Sequence, residues 1–452
     1  MDIRCGLGAI ALVVCLGQGG PSTAANSNAQ IEDLEFARKN YVMKSMAFSP
    51  ESRREAVAFI DRLQKQVGTM SKEKFLISFL EIAAFSHNAH DSLRFASDKA
   101  WRPESKLPFR IIWFPDAMVI ARVAPEFTEL LGAKVERIEE LSVNDLPARL
   151  RKLSGGPDRY VLWNTVWIIE NAGLLHAFGV ARAPDKLRLN LLLRDGRRVE
   201  REIAFVPQST LPPRLGPVRL WSGELTAAEQ EYHWSAAIRV ADQPFYLRRG
   251  DDFFRMERMP EIDGVYVQFR ANSTADAEGH EIGPFVRQVR TEVEKSRPKN
   301  LVLDLRFDIG GNIDETRDLI RTLAANVRER IYVITSRYTF SAGIVMAAAM
   351  RHDGGQRVMI VGEKVGDELR WWSEGENACV PNSKYCLRAT NGLWDLIHGC
   401  AKERGCYGDR LDARVKSLEP QLAAPLTAES WLNGKDPAMD AIKTDLNSAT
   451  QL

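Results

Sequence analysis

Nothing in the 452-residue chain commits it to nucleic acid or to a bilayer. Its 61 Lys and Arg balance 60 Asp and Glu, for a net charge of +1. The electrostatic footprint of a nucleic-acid or anionic-lipid binder is therefore missing. No repeat or low-complexity tract interrupts the composition, and beyond the N-terminus no apolar run is long enough to cross a membrane. Cysteine and histidine are scarce, at six and seven residues. That scarcity makes their positions informative.

What is present begins with an address. Arg4 precedes a short apolar run, Leu7 to Leu16, and small residues follow at Ser22, Thr23, Ala24 and Ala25. The pattern predicts an export signal over 1–25, so the mature protein is expected to be secreted or periplasmic, with no stable membrane insertion after signal removal. Cys5 and Cys15 leave with that segment, and Val14 is larger than the residue that usually precedes a lipidated cysteine. Four cysteines remain, as Cys379-x6-Cys386 and Cys400-x5-Cys406. In an oxidising compartment an even set reads as two disulfides, and the short loops favour Cys379–Cys386 and Cys400–Cys406 among the three possible pairings. Zinc, with His398 beside Cys400, is the rival, but the spacings are not C-x2-C. No metal or cofactor is expected.

The length suits about two to four compact units. Residues 26–108 carry helical periodicity. Ala56, Phe59, Ile60, Leu63 and Val67 mark one stripe, and Phe75, Leu76, Phe79, Leu80 and Ala83 another, with Ser71 as an N-cap. Residues 109–207 read as strands around a helical stretch from Tyr160 to Val180. Asp195-Gly196 there forms a hairpin turn between Leu187–Leu193 and Val199–Phe205. Residues 215–445 alternate strands with helices, which argues a layered α/β core.

Two segments of that core carry chemistry. The strand Leu301–Arg306 runs into Phe307-Asp308-Ile309-Gly310-Gly311, where paired glycines allow a tight turn with uncovered N–H groups. The strand Ile331–Ile334 runs into Ser336-Arg337-Tyr338-Thr339-Phe340-Ser341-Ala342-Gly343, which opens an apolar helix. A serine at such a junction holds its hydroxyl at the mouth of the sheet, with the next N–H facing the same point. As a bare helix start, Ser341 reads better as an N-cap than as a nucleophile.

Taken together, Asp304-Leu305-Arg306-x-x-x-Gly310-Gly311, then Ser341-Ala342-Gly343, resembles the tail-specific, C-terminal-processing serine peptidases and the tricorn core. Their segments run Asp-Leu-Arg-x-Asn-x-Gly-Gly and Thr-x-Ser-Ala-x-Glu. Val361-Gly362-Glu363-x-Val365-Gly366 and the tail Asn433 to Met439 extend the likeness. The second region resembles a PDZ-like module with a helical insertion. The resemblance implies an α/β fold: a ClpP/crotonase-like catalytic core, a PDZ-like α+β module and an N-terminal helical cap. It implies Ser341 as nucleophile and an oxyanion hole from Ala342 with Gly310 or Gly311. It further implies protein or peptide substrates held near their C-termini by strand addition.

The chain departs from the pattern at the base. Where bacterial members have a lysine, Glu368 stands, and Lys364 is displaced from that position. The tricorn-like branch uses a histidine from the N-terminal region, and Ser86-His87-Asn88-Ala89-His90-Asp91 supplies two, with His90 the preferred register over His87. Glu368, Glu374 and Asp395 are the carboxylates that could orient it. A second reading, a catalytically inactive relative that binds peptides as a scaffold, follows from the same missing lysine.

Overall fold

The computed structural model describes residues 23–96, 100–276, 279–411 and 413–449. The expected export signal lies outside them except for residues 23–25, which begin the helix Thr23–Ala37. Two further helices follow. Pro50–Gln64 is capped by Ser49, and Lys72–Ala84 by Ser71, whose Oγ accepts the Lys74 N–H at 3.1 Å. Each cap satisfies a donor that the first turn cannot use internally. Ala56, Ile60, Leu63, Phe75, Leu76, Phe79 and Ala83 are buried, so both apolar stripes face the interior.

The N-terminal region is not helical throughout. Leu93–Phe95 forms a strand that pairs antiparallel with Tyr385–Ala389, itself hairpinned to Glu376–Cys379. Cys379 is bonded to Cys386 across that hairpin, and Cys400 to Cys406. Asp33, from the first helix, accepts the Asn382 and Ser383 N–H groups at 2.8 Å each and so caps the hairpin turn. Residues some 290 positions apart in sequence thereby build one sheet, and Tyr385 and Leu387 enter the same core as Leu76 and Phe79.

The second region is an antiparallel sheet built on Phe109–Trp113, Met118–Val123, Lys134–Ile138, Lys186–Leu192 and Arg198–Ala204. Asp158–Asn164, Val166–Ile169 and Ala172–Ala177 are helical between its strands. Its apolar face shares the core of the N-terminal helices.

The third region is a six-stranded sheet in the order Phe254–Met259, Gly264–Phe269, Asn300–Asp304, Ile331–Thr335, Val358–Gly362, Leu422–Ala423. The first pair is antiparallel and the rest parallel. Buried on both faces, the central strands are continuous apolar runs. Leu301, Leu303 and Val333 pack on the helices Ile282–Ser296, Arg317–Asn326 and Ala342–Gly354. Val302, Tyr332 and Ile334 point the other way, onto Ala438, Met439 and Ile442.

A buried ionic brace closes this second face. Arg306 Nε lies 3.0 and 2.9 Å from the two Asp304 oxygens, and its Nη atoms meet Asp436 at 2.8 and 3.2 Å. Tyr266 donates to Asp304 at 2.6 Å, and the guanidinium lies 4.2 Å from the Tyr246 ring centroid. The Asp-Leu-Arg segment thus holds the strand end to the start of the last helix. It is a structural clamp beneath the loop that follows.

Candidate active site

The loops after the strands Asn300–Asp304 and Ile331–Thr335 are stapled together. Ser336 Oγ donates to the Arg306 carbonyl, Thr339 Oγ1 to the Leu305 carbonyl at 2.7 Å, and the Phe340 N–H to the Asp308 carbonyl at 2.8 Å. This pins Ser341 at the head of Ala342–Gly354. Its backbone is strained, with φ 52° and ψ −119°, a region costly for any residue with a Cβ. Although it occupies the N-cap position, its side chain makes no capping hydrogen bond. The hydroxyl is thus held out of the helix start rather than used by it.

The glycine turn fits against this serine. A Cβ on Gly310 (φ +96°) would lie 2.6 Å from Ser341 Cβ, and one on Gly311 (φ +140°) would run into the Asn272 carbonyl. Of the three N–H groups expected around an oxyanion, Gly310's is taken, donating to Asp308 Oδ1 at 3.0 Å. Among the described residues, those of Gly311 and Ala342 donate to no group of the chain. The turn that Asp308 makes with Gly310 is why: its short side chain reaches the N–H two residues on. Gly310 serves the approach of the loop to Ser341, and the free donors belong to its neighbour and to the helix start.

The histidine loop is equally built. Asn88 bonds the Trp372 backbone in both directions, at 2.8 and 3.2 Å. Asp91 is buried and accepts from Tyr41 (3.0 Å), Ser45 (2.8 Å), Asn88 (2.8 Å) and Thr390 (2.6 Å), and burial raises its carboxyl above the ordinary value. Between them, His90 stacks on Phe340, the residue before Ser341, at 4.4 Å, and on Trp371 at 6.0 Å. Its Nδ1 lies 3.5 Å from Asp367 Oδ2, and among the described residues neither ring nitrogen has a hydrogen-bond partner. His87 is exposed, in a left-handed backbone conformation.

Of the three expected carboxylates, two pair with arginines and one shares a cavity with Ser341. Glu368 is two-thirds exposed and pairs with Arg159 at 3.0 Å. Asp395 pairs with Arg370 at 2.9 Å and caps the Ile397 and His398 N–H groups. Glu374 lines a cavity of about 230 Å³ with Ser341, Gly311, Trp371, Trp394 and Tyr407. Lys364 reaches Glu419 at the surface, 2.8 Å away. The carboxylate that faces His90 is Asp367, which the sequence reading passed over. Its signal was its place beside Glu368 at the position where a lysine belongs. The two side chains diverge from one turn, one into the interior and one into solvent.

One group of possible metal ligands is Asp252, Asp276 and His280. Asp252 is paired with Arg249 at 2.5 Å and Asp276 accepts from His280 at 2.9 Å, so the residues are engaged in ion pairs of the chain itself.

No family model and no curated protein matches the sequence. Solved structures match in fold. Mature CPAF complexed with lactacystin is similar with a TM-score of 0.59 at 12% identity, over 94% of this chain and 99% of that one. The tricorn protease matches at TM-score 0.40 and 14% identity, over 94% of this chain and 37% of that one. The photosystem II D1 C-terminal processing protease matches at 0.34 and 11%, over 92% and 98%. The first likeness spans both chains nearly end to end. This chain has the CPAF fold, an α/β core with additional domains.

Proposed function

We propose that the protein is an exported serine peptidase that hydrolyses protein or peptide substrates through an acyl-enzyme on Ser341. The observation that carries the reading is Ser341 itself: a strained residue at a strand-to-helix junction whose hydroxyl caps nothing, beside the unused N–H groups of Gly311 and Ala342. Strain of this kind costs about 1–3 kcal/mol and persists where the surroundings impose it. The likeness in fold to CPAF supports the same reading.

The chemistry then follows from the residues present. The Ser341 hydroxyl attacks the scissile carbonyl and His90 takes its proton; the Phe340 and Trp371 rings keep the imidazole plane fixed. Asp367 faces Nδ1 and stabilises the imidazolium that forms. The carbonyl oxygen, becoming an oxyanion, accepts from Gly311 and Ala342. The protonated His90 delivers its proton to the leaving amine, and water then hydrolyses the ester with His90 again as base. The sheet of residues 109–207 serves as a PDZ-like module that holds substrates near their C-termini. The four disulfide-bonded cysteines and the apolar run at 7–16 support export.

A serine-reactive fluorophosphonate is the test. Labelling that maps to Ser341 and vanishes in Ser341→Ala supports the enzyme. A folded protein that is never labelled points to the scaffold reading, which the absence of a hydrogen bond from either His90 nitrogen favours.

A further inference from the structure

Asp308 stands where the resembling segment carries Asn, two residues before Gly310. Its carboxyl is fully buried. One oxygen accepts the Gly310 N–H at 3.0 Å, and Asn272 Nδ2 donates to both, at 3.2 and 2.9 Å. A Cβ placed on Gly343 would come 3.0 Å from the carboxyl carbon, so this group also touches the first turn of the helix that Ser341 opens. The Asp308 backbone carbonyl accepts from Phe340. The side chain therefore adjoins both walls of the oxyanion site, the glycine turn and the helix start, and among the described residues its hydrogen bonds go to Gly310 and Asn272 rather than to Ser341.

We propose that Asp308 is a positioning residue that sets the strength of the oxyanion hole by its charge: neutral, it holds the turn as an amide would, and ionised, it opposes the developing oxyanion. The inference rests on Ser341 and the Gly311 and Ala342 N–H groups acting as described above. Both protonation states keep a carbonyl-type oxygen for the Gly310 N–H, so the turn survives in either. What changes is a unit negative charge against the glycine turn and the helix start, the two walls between which an oxygen must itself become negative. The groups facing the carboxyl are the Gly310 N–H, the Asn272 amide and the helix start. Burial pushes the Asp308 carboxyl up to about 7, and the Gly310 and Asn272 bonds only partly offset it. The charge thus switches within the range where a peptidase with a histidine base works.

The experiment is the pH dependence of Ser341 phosphonylation by a fluorophosphonate, in which Oγ bonds to phosphorus and fluoride leaves, from pH 5.5 to 9, on the full chain. Wild type is expected to show the acid limb that a histidine base imposes and then a fall above about pH 7, levelling roughly 10- to 100-fold below its maximum. Asp308→Asn should keep the acid limb and lose the fall. Asn272→Ala, which deletes one of the two bonds favouring the ionised form, should move the fall to higher pH. This second variant decides the matter if Asp308→Asn does not fold. Wild-type phosphonylation that stays level from pH 7 to 9 overturns the proposal, as does a fall that persists unchanged in Asp308→Asn. Absence of labelling at every pH overturns the nucleophile assignment and this inference with it; labelling without the alkaline fall overturns this inference alone.

Discussion

Replacing Asp436 with alanine should unfold the region of the six-stranded sheet more readily than any substitution at an exposed ion pair. The Arg306 side chain is 4% exposed, and Asp436 supplies the acceptors for both terminal nitrogens, at 2.8 and 3.2 Å. Asp304 satisfies only Nε and stays 0% exposed in its own right. Without Asp436 the guanidinium would remain buried against Tyr246 with two nitrogens unpaired. Breaking one partner from a buried pair costs about 3–5 kcal/mol, whereas an exposed pair is worth about 0–1. Asp436 also accepts the Met439 N–H at 3.3 Å, so the last helix loses its N-cap with it. The assay is urea unfolding followed by tryptophan fluorescence. With a slope of about 3 kcal/mol/M, the midpoint of the transition that reports the six-stranded region should fall by about 1–1.7 M. Asp436→Asn, which keeps one acceptor, should fall between. Because the Arg306 carbonyl receives Ser336 Oγ beneath the nucleophile loop, kcat should drop as well at temperatures where the variant is still folded. A midpoint shift worth less than about 1 kcal/mol would refute the argument, since it would mean that water reaches the guanidinium and the brace behaves as a surface pair.

Ser341→Ala should abolish turnover while moving stability by less than about 0.5 kcal/mol; a loss of about 0.5–2 kcal/mol on thermal unfolding would instead identify the hydroxyl as a cap. On one peptide substrate, His90→Ala should lose about 100- to 10,000-fold in kcat/KM, and His87→Ala and Lys364→Ala should stay near wild type; the reverse ranking would remove the histidine base. Cys379→Ser with Cys386→Ser should cost about 2–4 kcal/mol by releasing a short loop, measured by the same urea titration, and a cost near zero would mean that the Asp33 caps alone hold the hairpin.

What could be read in the chain was what is local. The strand ending at Asp304, the strand ending at Thr335 and the helix from Ala342 announce themselves through apolar runs and their spacing to Gly310, Gly311 and Ser341. The Ser71 and Ser49 caps lie next to the turns they close. Asp304, Arg306 and Asp436 were all visible within segments that resemble the family, but nothing in either segment states that a side chain 130 positions on supplies the other half of the clamp. The strand Leu93–Phe95 is three residues long and pairs with Tyr385–Leu387. Its pairing is set by the disulfide hairpin it meets, so no periodicity of its own could announce it.

The site divides along the same line, and the division explains why Asp367 was passed over for Glu368. Alignment to a motif counts residues along the chain, and at a turn one residue decides whether a carboxylate faces the interior or solvent. Here the Gly366 N–H bonds the Thr339 carbonyl, and Arg159 reaches across to the Asp367 carbonyl at 2.7 Å. Those two contacts orient the turn, and both come from elements distant in sequence. They send the Asp367 side chain inward, toward His90, and leave Glu368 to pair with the same arginine outside. Gly310 and Gly311 differ for a related reason: both are glycines in one turn, but only the side chain of Asp308 determines which N–H is spent and which is left. Residue types thus locate a reactive loop to within a position or two, and long-range hydrogen bonds choose among the neighbours.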